Sequence, residues 1–421
     1  MTAPRFPFVH RAGELCCEDV PLSEIAQRFG TPTYVYSRRA LEDAFDAYAQ
    51  PLAARAALIC YAVKANSNLA VLNLLARRGA GFDIVSGGEL ARVLAAGGDA
   101  GRIVFSGVGK TDAEIAQALS AGILSFNVES AAELDAIERV AAAAGRRAPV
   151  SLRVNPDVDA QTHPYIATGL RENKFGVAYE EALPLYQRAA ASPHLQVVGV
   201  AAHIGSQITS VAPFLDAADR LLALVERLTA AGIRLQQIDF GGGLGIRYRD
   251  EQPPPPAQLI GALTARVDAA GHADKTLLFE PGRSLVAAAG ALLMRVVRRK
   301  TGATKNFAIV DAAMNDLLRP ALYEAWMAVE AVRPRQGSAL RYDLVGPVCE
   351  SADWLARDRD LALEDGDLLA VLGAGAYGMS MASNYNTRPR AAEVIVDGGR
   401  VYCVRRREEI SALFRDEFPL P

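Results

Sequence analysis

Long apolar runs are missing from this sequence: no stretch approaches the ~18 residues that a membrane-crossing helix needs. Residues Met1 to Phe8 lack the apolar core of a secretory signal, so the cytosol is the expected compartment and no membrane partner is expected. Cysteine is scarce. Cys16, Cys17, Cys60, Cys349 and Cys403 are odd in number and spaced unlike a disulfide framework or a zinc site, so no bound metal is expected. An excess of one charge is absent as well. A net charge of -3 provides no footprint for nucleic acid or an anionic surface. Low complexity is confined to Pro253-Pro254-Pro255-Pro256, expected as a stiff exposed loop, because a proline run cannot continue a helix.

What is present is a globular composition, 51% hydrophobic and 22% charged, on 421 residues, too many for one ordinary core. Two domains are therefore expected. Residues Thr31 to Tyr36 read as an early strand, after which strands and helices alternate. Strand-like runs fall at Ala57–Ala62, Gly81–Val85, Ile103–Ser106, Leu124–Val128, Val150–Asn155, Val197–His203, Gln237–Phe240 and Thr276–Phe279. Helical patterns lie between them, the clearest over Ala212–Ala231, with Leu215, Ala218, Leu221, Leu222, Val225 and Leu228 on one face. This α/β alternation fits a (β/α)8 barrel over residues 38–284. A doubly wound sheet would alternate too, but nearly every strand here ends in a polar or glycine residue, which favours the barrel. From residue 285 to 421 the runs become β-rich, at Leu292–Val297, Phe307–Val310, Leu368–Leu372, Val394–Val396 and Val401–Val404, with a hairpin signal at Asp397-Gly398-Gly399. A mostly β C-terminal domain is expected there, completed by the N-terminal segment 1–37.

Tyr61-Ala62-Val63-Lys64-Ala65-Asn66 is the stretch on which the chemistry turns. Lys64 follows a buried strand, where an ammonium must be paired or lose its proton, and an amine with a lowered pKa is a nucleophile. Asp83 is a second polar residue in a barrel strand. His203-Ile204-Gly205-Ser206-Gln207 closes the sixth strand, Asp239-Phe240-Gly241-Gly242-Gly243-Leu244-Gly245 the seventh, and Glu280-Pro281-Gly282-Arg283 the eighth. Consecutive glycines allow backbone N–H groups to approach an anion, and loops after the last two strands of such barrels often hold phosphate. In the β domain, Cys349 sits beside Glu350 in a turn-like segment, where a thiol can donate a proton near neutral pH. Gly373-Ala374-Gly375-Ala376-Tyr377-Gly378 matches G-x-G-x-x-G, yet it runs into Pro389 without room for the crossover helix of a dinucleotide site.

In order and spacing these motifs resemble the fold-type III pyridoxal-phosphate decarboxylases, from about residue 15 to about residue 415. The resemblance implies an enzyme with pyridoxal 5′-phosphate on Lys64, His203 stacked on its ring, and Glu280 facing its ring nitrogen. Ser206, Gly242, Gly282 and Arg283 would hold its phosphate, and Asp83 would line the same site. It implies a homodimer with shared sites, in which the second copy supplies Cys349 as proton donor together with Glu350 and Tyr377. The run from His163 to Gly169 and on through Asn173-Lys174-Phe175-Gly176, with Gln207 and Glu350, is similar to members acting on an amino acid whose far end carries both a carboxylate and an ammonium. Arg283, Arg319, Tyr323, Glu350 and Tyr377 would bind that substrate. Ornithine, arginine and carboxynorspermidine decarboxylases share the fold, as do non-catalytic cofactor-carrying homologues. Ala352 departs from the glycine common in the family and places the backbone of its loop in question.

Overall fold

A computed structural model describes residues 6–158 and 174–421. The chain forms two compact units, one of Ala44–Ile246 with Gln252–Ser284, the other of Met1–Asp43, Arg247–Glu251 and Leu285–Pro421.

The first unit is a closed parallel barrel. Its strands are Ala57–Ala62, Gly81–Ile84, Ile103–Phe105, Ser125–Val128, Ala148–Asn155, Leu195–Ala201, Gln237–Asp239 and Thr276–Phe279, each pairing with the next, and the eighth with the first. The bounds of each observed strand lie within two residues of the expected run. A short strand, Val177–Ala178, adds to the fifth. Polar residues in the turns after strands begin the helices that follow. Asn68, Ser86 and Ser130 accept first-turn N–H groups, and Thr111 with Glu114 forms a capping box. The helix Ala212–Ala230 buries Phe214 and Ala217 together with most of the expected face, while Leu215 lies at its margin. Pro256 is not loop, as the proline run suggested, but the first residue of the helix Pro256–Ala269. A first-turn N–H has no intrahelical partner, so proline is accommodated there.

The second unit carries a mixed sheet in the order Trp354–Leu361, Leu340–Val345, Asn306–Val310, Gly290–Lys300, Thr33–Ser37, Ala392–Asp397 and Arg400–Arg405. The N-terminal strand thus lies inside this sheet, antiparallel to Gly290–Lys300 and parallel to Ala392–Asp397. Its Tyr34 and Tyr36 are fully buried, and each hydroxyl has a partner, the Asp316 carbonyl at 2.6 Å and Glu393 Oε1 at 2.7 Å. The hairpin Phe8–Arg11 with Glu14–Cys17, and the helix Leu22–Phe29, precede it and were not expected from the sequence. After the strand Leu368–Leu372, the glycine-rich run leads into a single turn, Met379–Met381, and no crossover helix follows. Among the described residues no helix is long and apolar enough to cross a membrane, no group of acidic, histidine and cysteine side chains could hold a metal, and the five cysteines are free thiols.

One buried hydroxyl repairs an irregularity in the barrel. The pairing of the fifth and sixth strands shifts register between Val197 and Gly199. There Tyr186 of the helix Tyr179–Ala191 donates to the Gly199 carbonyl at 2.8 Å and accepts from the Leu152 N–H at 3.3 Å. Tyr186→Phe leaves both backbone groups short of a partner in a dry interior, so it should cost about 1–3 kcal/mol in the free energy of urea unfolding. A change within a few tenths of a kcal/mol of the parent would show that the hydroxyl is not needed there.

Candidate active site

The first barrel strand ends in a single turn, Val63–Ala65, which presents Lys64 at the carboxyl-terminal mouth. Tyr61 fixes the exit by donating to the Asn66 carbonyl at 2.9 Å, and Asn66 accepts the Asn68 N–H at 3.0 Å. The Lys64 Nζ donates to Asp83 Oδ2 on the neighbouring strand. The Asp83 side chain is 1% exposed and that of Lys64 37%, so the carboxylate is sealed and the amine reaches the opening. The second Asp83 oxygen is buried without a hydrogen-bond partner.

The eighth-strand turn packs directly on this turn. The Ala62 N–H donates to the Pro281 carbonyl at 3.1 Å, and a Cβ on Gly282 would sit 3.1 Å from Ala62 Cβ and 3.2 Å from Ala65 Cβ. A Cβ on Gly242 would fall 2.0 Å from the Glu280 carbonyl oxygen, and one on Gly241 2.3 Å from that of Ala202. The glycines after the seventh strand therefore let three turns close on one another. Gly242 gives its N–H to His203 Nδ1 at 3.2 Å. With Nδ1 accepting, the His203 proton lies on Nε2. Burial, reinforced by the charges of Arg153 and Lys64, holds its pKa well below the usual value, so the ring is neutral. Arg283 donates to Ser206 Oγ at 3.1 Å, placing a guanidinium and a hydroxyl together beside the glycine loops. Of the expected barrel residues, Lys64 with Asp83, His203 with Gly242, and Ser206 with Arg283 are thus brought into contact.

Four residues reach the same mouth without having been singled out. Arg153, on the fifth strand, is buried and pairs with Glu129 at 3.0 Å. Asn127 and Asp239 lie on the fourth and seventh strands beside Glu280. Glu89 accepts the Val85 N–H at 2.7 Å, and burial raises its pKa to about 7 despite the nearby Lys64 charge. The signal for the first three in the sequence was faint: each is a polar residue between two apolar neighbours in a short strand that carries other polar residues as well.

In the β unit, Arg319 is buried, donates to the Tyr248 hydroxyl at 3.0 Å and lies 4.7 Å from that ring's centroid. Tyr323 ends the same short helix. Cys349 and Glu350 are exposed. The Cys349 N–H donates to Asn386 Oδ1 at 2.9 Å, and Glu350 accepts the Tyr385 hydroxyl at 3.0 Å. Asp353 braces this loop by accepting the N–H groups of Met314 and Val348 at 2.6 and 2.7 Å. Ala352 is not among the described residues with positive φ, so its backbone conformation does not call for glycine. Tyr377 holds φ 55°, a left-handed conformation uncommon for tyrosine. The expected run from His163 to Asn173 lies outside the described residues.

A primary amine, a group of buried carboxyls, a neutral imidazole and a guanidinium–hydroxyl pair among close-packed glycines form a donor set for a phosphorylated aromatic aldehyde. Residues 38–287 match the pyridoxal-binding domain of the pyridoxal-dependent decarboxylases. A diaminopimelate decarboxylase of Pseudomonas aeruginosa is 62% identical over 414 residues, covering 98% of this chain and 99% of that protein. The solved structure of the Helicobacter pylori diaminopimelate decarboxylase with L-lysine has a TM-score of 0.90 at 44% identity, covering 94% of this chain and 99% of that one. The diaminopimelate decarboxylase of M. jannaschii with L-lysine has a TM-score of 0.94 at 37% identity, covering 98% of each chain. The chain belongs to the pyridoxal-dependent decarboxylases and, within them, to the diaminopimelate decarboxylase family.

Proposed function

We propose that this chain removes one carboxylate from meso-2,6-diaminopimelate, releasing CO2 and L-lysine, the last step of lysine biosynthesis, with pyridoxal 5′-phosphate as cofactor. The contact of Lys64 with Asp83 at the barrel mouth carries this reading, because it presents an amine to an aldehyde beside a set of phosphate donors. When bound, the cofactor supplies an electron sink for the bond pair left by the departing carboxylate.

The protein's part is binding, orientation and proton placement. Lys64 is the covalent anchor and Asp83 orients its Nζ. Ser206, Gly242, Gly282 and Arg283 hold the phosphate end. Neutral His203 covers the ring face without adding a positive charge that would compete with a protonated ring nitrogen, and Glu280 faces that nitrogen. Arg319, Tyr323 and Glu350 recognise the substrate's far carboxylate and ammonium, with Arg283 and Tyr377 at the boundary between cofactor and substrate. Cys349 of a second copy of the chain donates the proton from Sγ that replaces the lost carboxylate. The working unit is therefore a homodimer in which Cys349, Glu350 and Tyr377 cross to the neighbouring barrel. Residues 38–284 serve as the cofactor-binding domain, and 285–421 with 1–37 as the β domain that brings these groups. The cytoplasm is the compartment that suits five free thiols.

The direct test is purified protein with pyridoxal 5′-phosphate and meso-diaminopimelate, assayed for CO2 and lysine. A bidentate guanidinium–carboxylate pair contributes a few kcal/mol, so Arg319→Ala should lower kcat/KM for diaminopimelate roughly 100-fold or more, with the cofactor's absorbance band retained. Faster turnover of ornithine than of diaminopimelate by the parent would overturn the substrate assignment.

Shared sites make a separate prediction. Lys64→Ala and Cys349→Ala proteins should each be nearly inactive, and refolding them together should restore part of the activity, because some mixed dimers contain one intact site. No recovery, with mixed dimers shown to form, would place the thiol's action within its own chain.

A further inference from the structure

Three carboxyl groups are buried at the barrel mouth. Asp83 and Asp239 are 0% and 1% exposed, and Glu280 8%. Lys64 contacts Asp83. Neither Asp239 nor Glu280 makes an ion pair among the described residues. Both instead converge on one neutral group: Asn127 Nδ2 lies 3.2 Å from Glu280 Oε1 and 3.4 Å from Asp239 Oδ2, and 3.1 Å from Ser106 Oγ. Asn127 is itself 2% exposed. The other Asp239 oxygen accepts the Gly241 N–H at 2.9 Å. Two carboxyl groups within reach of a single amide nitrogen, in a dry interior and with no cation against either, cannot both ionise near neutral pH without a large electrostatic penalty.

We propose that Asp239 and Glu280 hold one proton between them in the free barrel, that Asn127 is the positioning residue keeping both carboxyls turned to that shared place, and that this is the proton Glu280 presents to the cofactor's ring nitrogen. The last clause rests on the cofactor reading above; the first two do not. In the transfer, the O–H bond of Glu280 breaks, the nitrogen lone pair takes the proton, and Glu280 becomes the carboxylate that pairs with the resulting cation. No solvent proton is required.

Electrostatics agree on which partner carries the proton. Burial, then the charges of Asp239 and Asp83, push the Glu280 carboxyl well above the ordinary range, and Lys64 offsets part of this. Burial raises Asp239 to about 6, with the hydrogen bonds from Glu280, the Gly241 N–H and Asn127 pulling the other way. Above that pH Asp239 is the charged partner and Glu280 the donor, although the two titrate as a pair. Among the described residues, the other ionisable groups that act on them include Lys64 and Asp83, with Cys60 close by, its thiol pushed up by burial and by these same carboxylates.

Infrared titration of the full chain, with and without pyridoxal 5′-phosphate, tests this, because a protonated buried carboxyl has a C=O band that a carboxylate lacks. Without cofactor at pH 7.5 the parent should show such a band, and Glu280→Gln should lose it. Asp239→Asn removes the like charge, so the band's titration midpoint should fall by roughly one pH unit or more. Asn127→Leu removes a donor to the charged forms and should raise the midpoint, with thermal melting used to confirm that each variant is folded. A role confined to packing would leave both midpoints in place. Absence of the band from the parent, or an unchanged midpoint in Asp239→Asn, overturns the shared proton. Cofactor should abolish the parent's band; a band persisting with cofactor bound overturns the proton's destination. Failure of the cofactor to bind, with the band and its Asp239→Asn shift intact, overturns the cofactor reading while upholding the shared proton.

Discussion

Burying ionisable groups where barrel strands end is the constraint from which the rest follows. An ammonium or carboxylate taken from water costs several kcal/mol unless a partner is fixed beside it. Lys64 and Asp83 meet that requirement across adjacent strands, with Ala62 and Asp83 in direct register. Holding the pair together demands that the first and second strands end at matched heights and that the turn after Lys64 be rigid. The bonds from Tyr61, Asn66 and Asn68 supply that rigidity. The same constraint governs the Asp239–Glu280 pair, for which Asn127 and the Gly241 N–H take the part that a cation plays for Asp83.

Close approach of backbone to backbone is the second condition. Gly241, Gly242 and Gly282 lie where any side chain would strike a carbonyl oxygen or a neighbouring alanine, so the sixth-, seventh- and eighth-strand turns nest against one another and against the lysine turn. That nesting also orients His203, whose Nδ1 is engaged by a glycine amide and whose ring is kept neutral by burial and by Arg153. Positioning and charge control are thus exerted by the same few turns.

Much of this was legible in the sequence, for identifiable reasons. Barrel strands buried on both faces read as apolar runs, and the helix starts were marked by Asn68, Ser86, Thr111 and Ser130. The strand Trp354–Leu361 was not legible, because exposed Arg357, Asp358 and Asp360 interrupt any apolar alternation. The short hairpin Phe8–Arg11 with Glu14–Cys17 offers too few residues for a period to emerge. Among site residues, those in glycine-rich or strand-terminal motifs stood out, whereas Asn127 and Arg153 alternate with apolar residues in strands that carry other polar side chains, and Asp239 is masked by the glycine run it precedes. Only the closed barrel, which turns those positions inward to one mouth, shows them to be neighbours.

Whether Lys64 anchors the cofactor is decided by borohydride reduction of the protein loaded with pyridoxal 5′-phosphate, followed by peptide mapping of the fixed label. One labelled peptide is expected, carrying the adduct on Lys64, with no stoichiometric label in Lys64→Ala. A stable adduct at any other lysine, or full labelling that persists in Lys64→Ala, would contradict it.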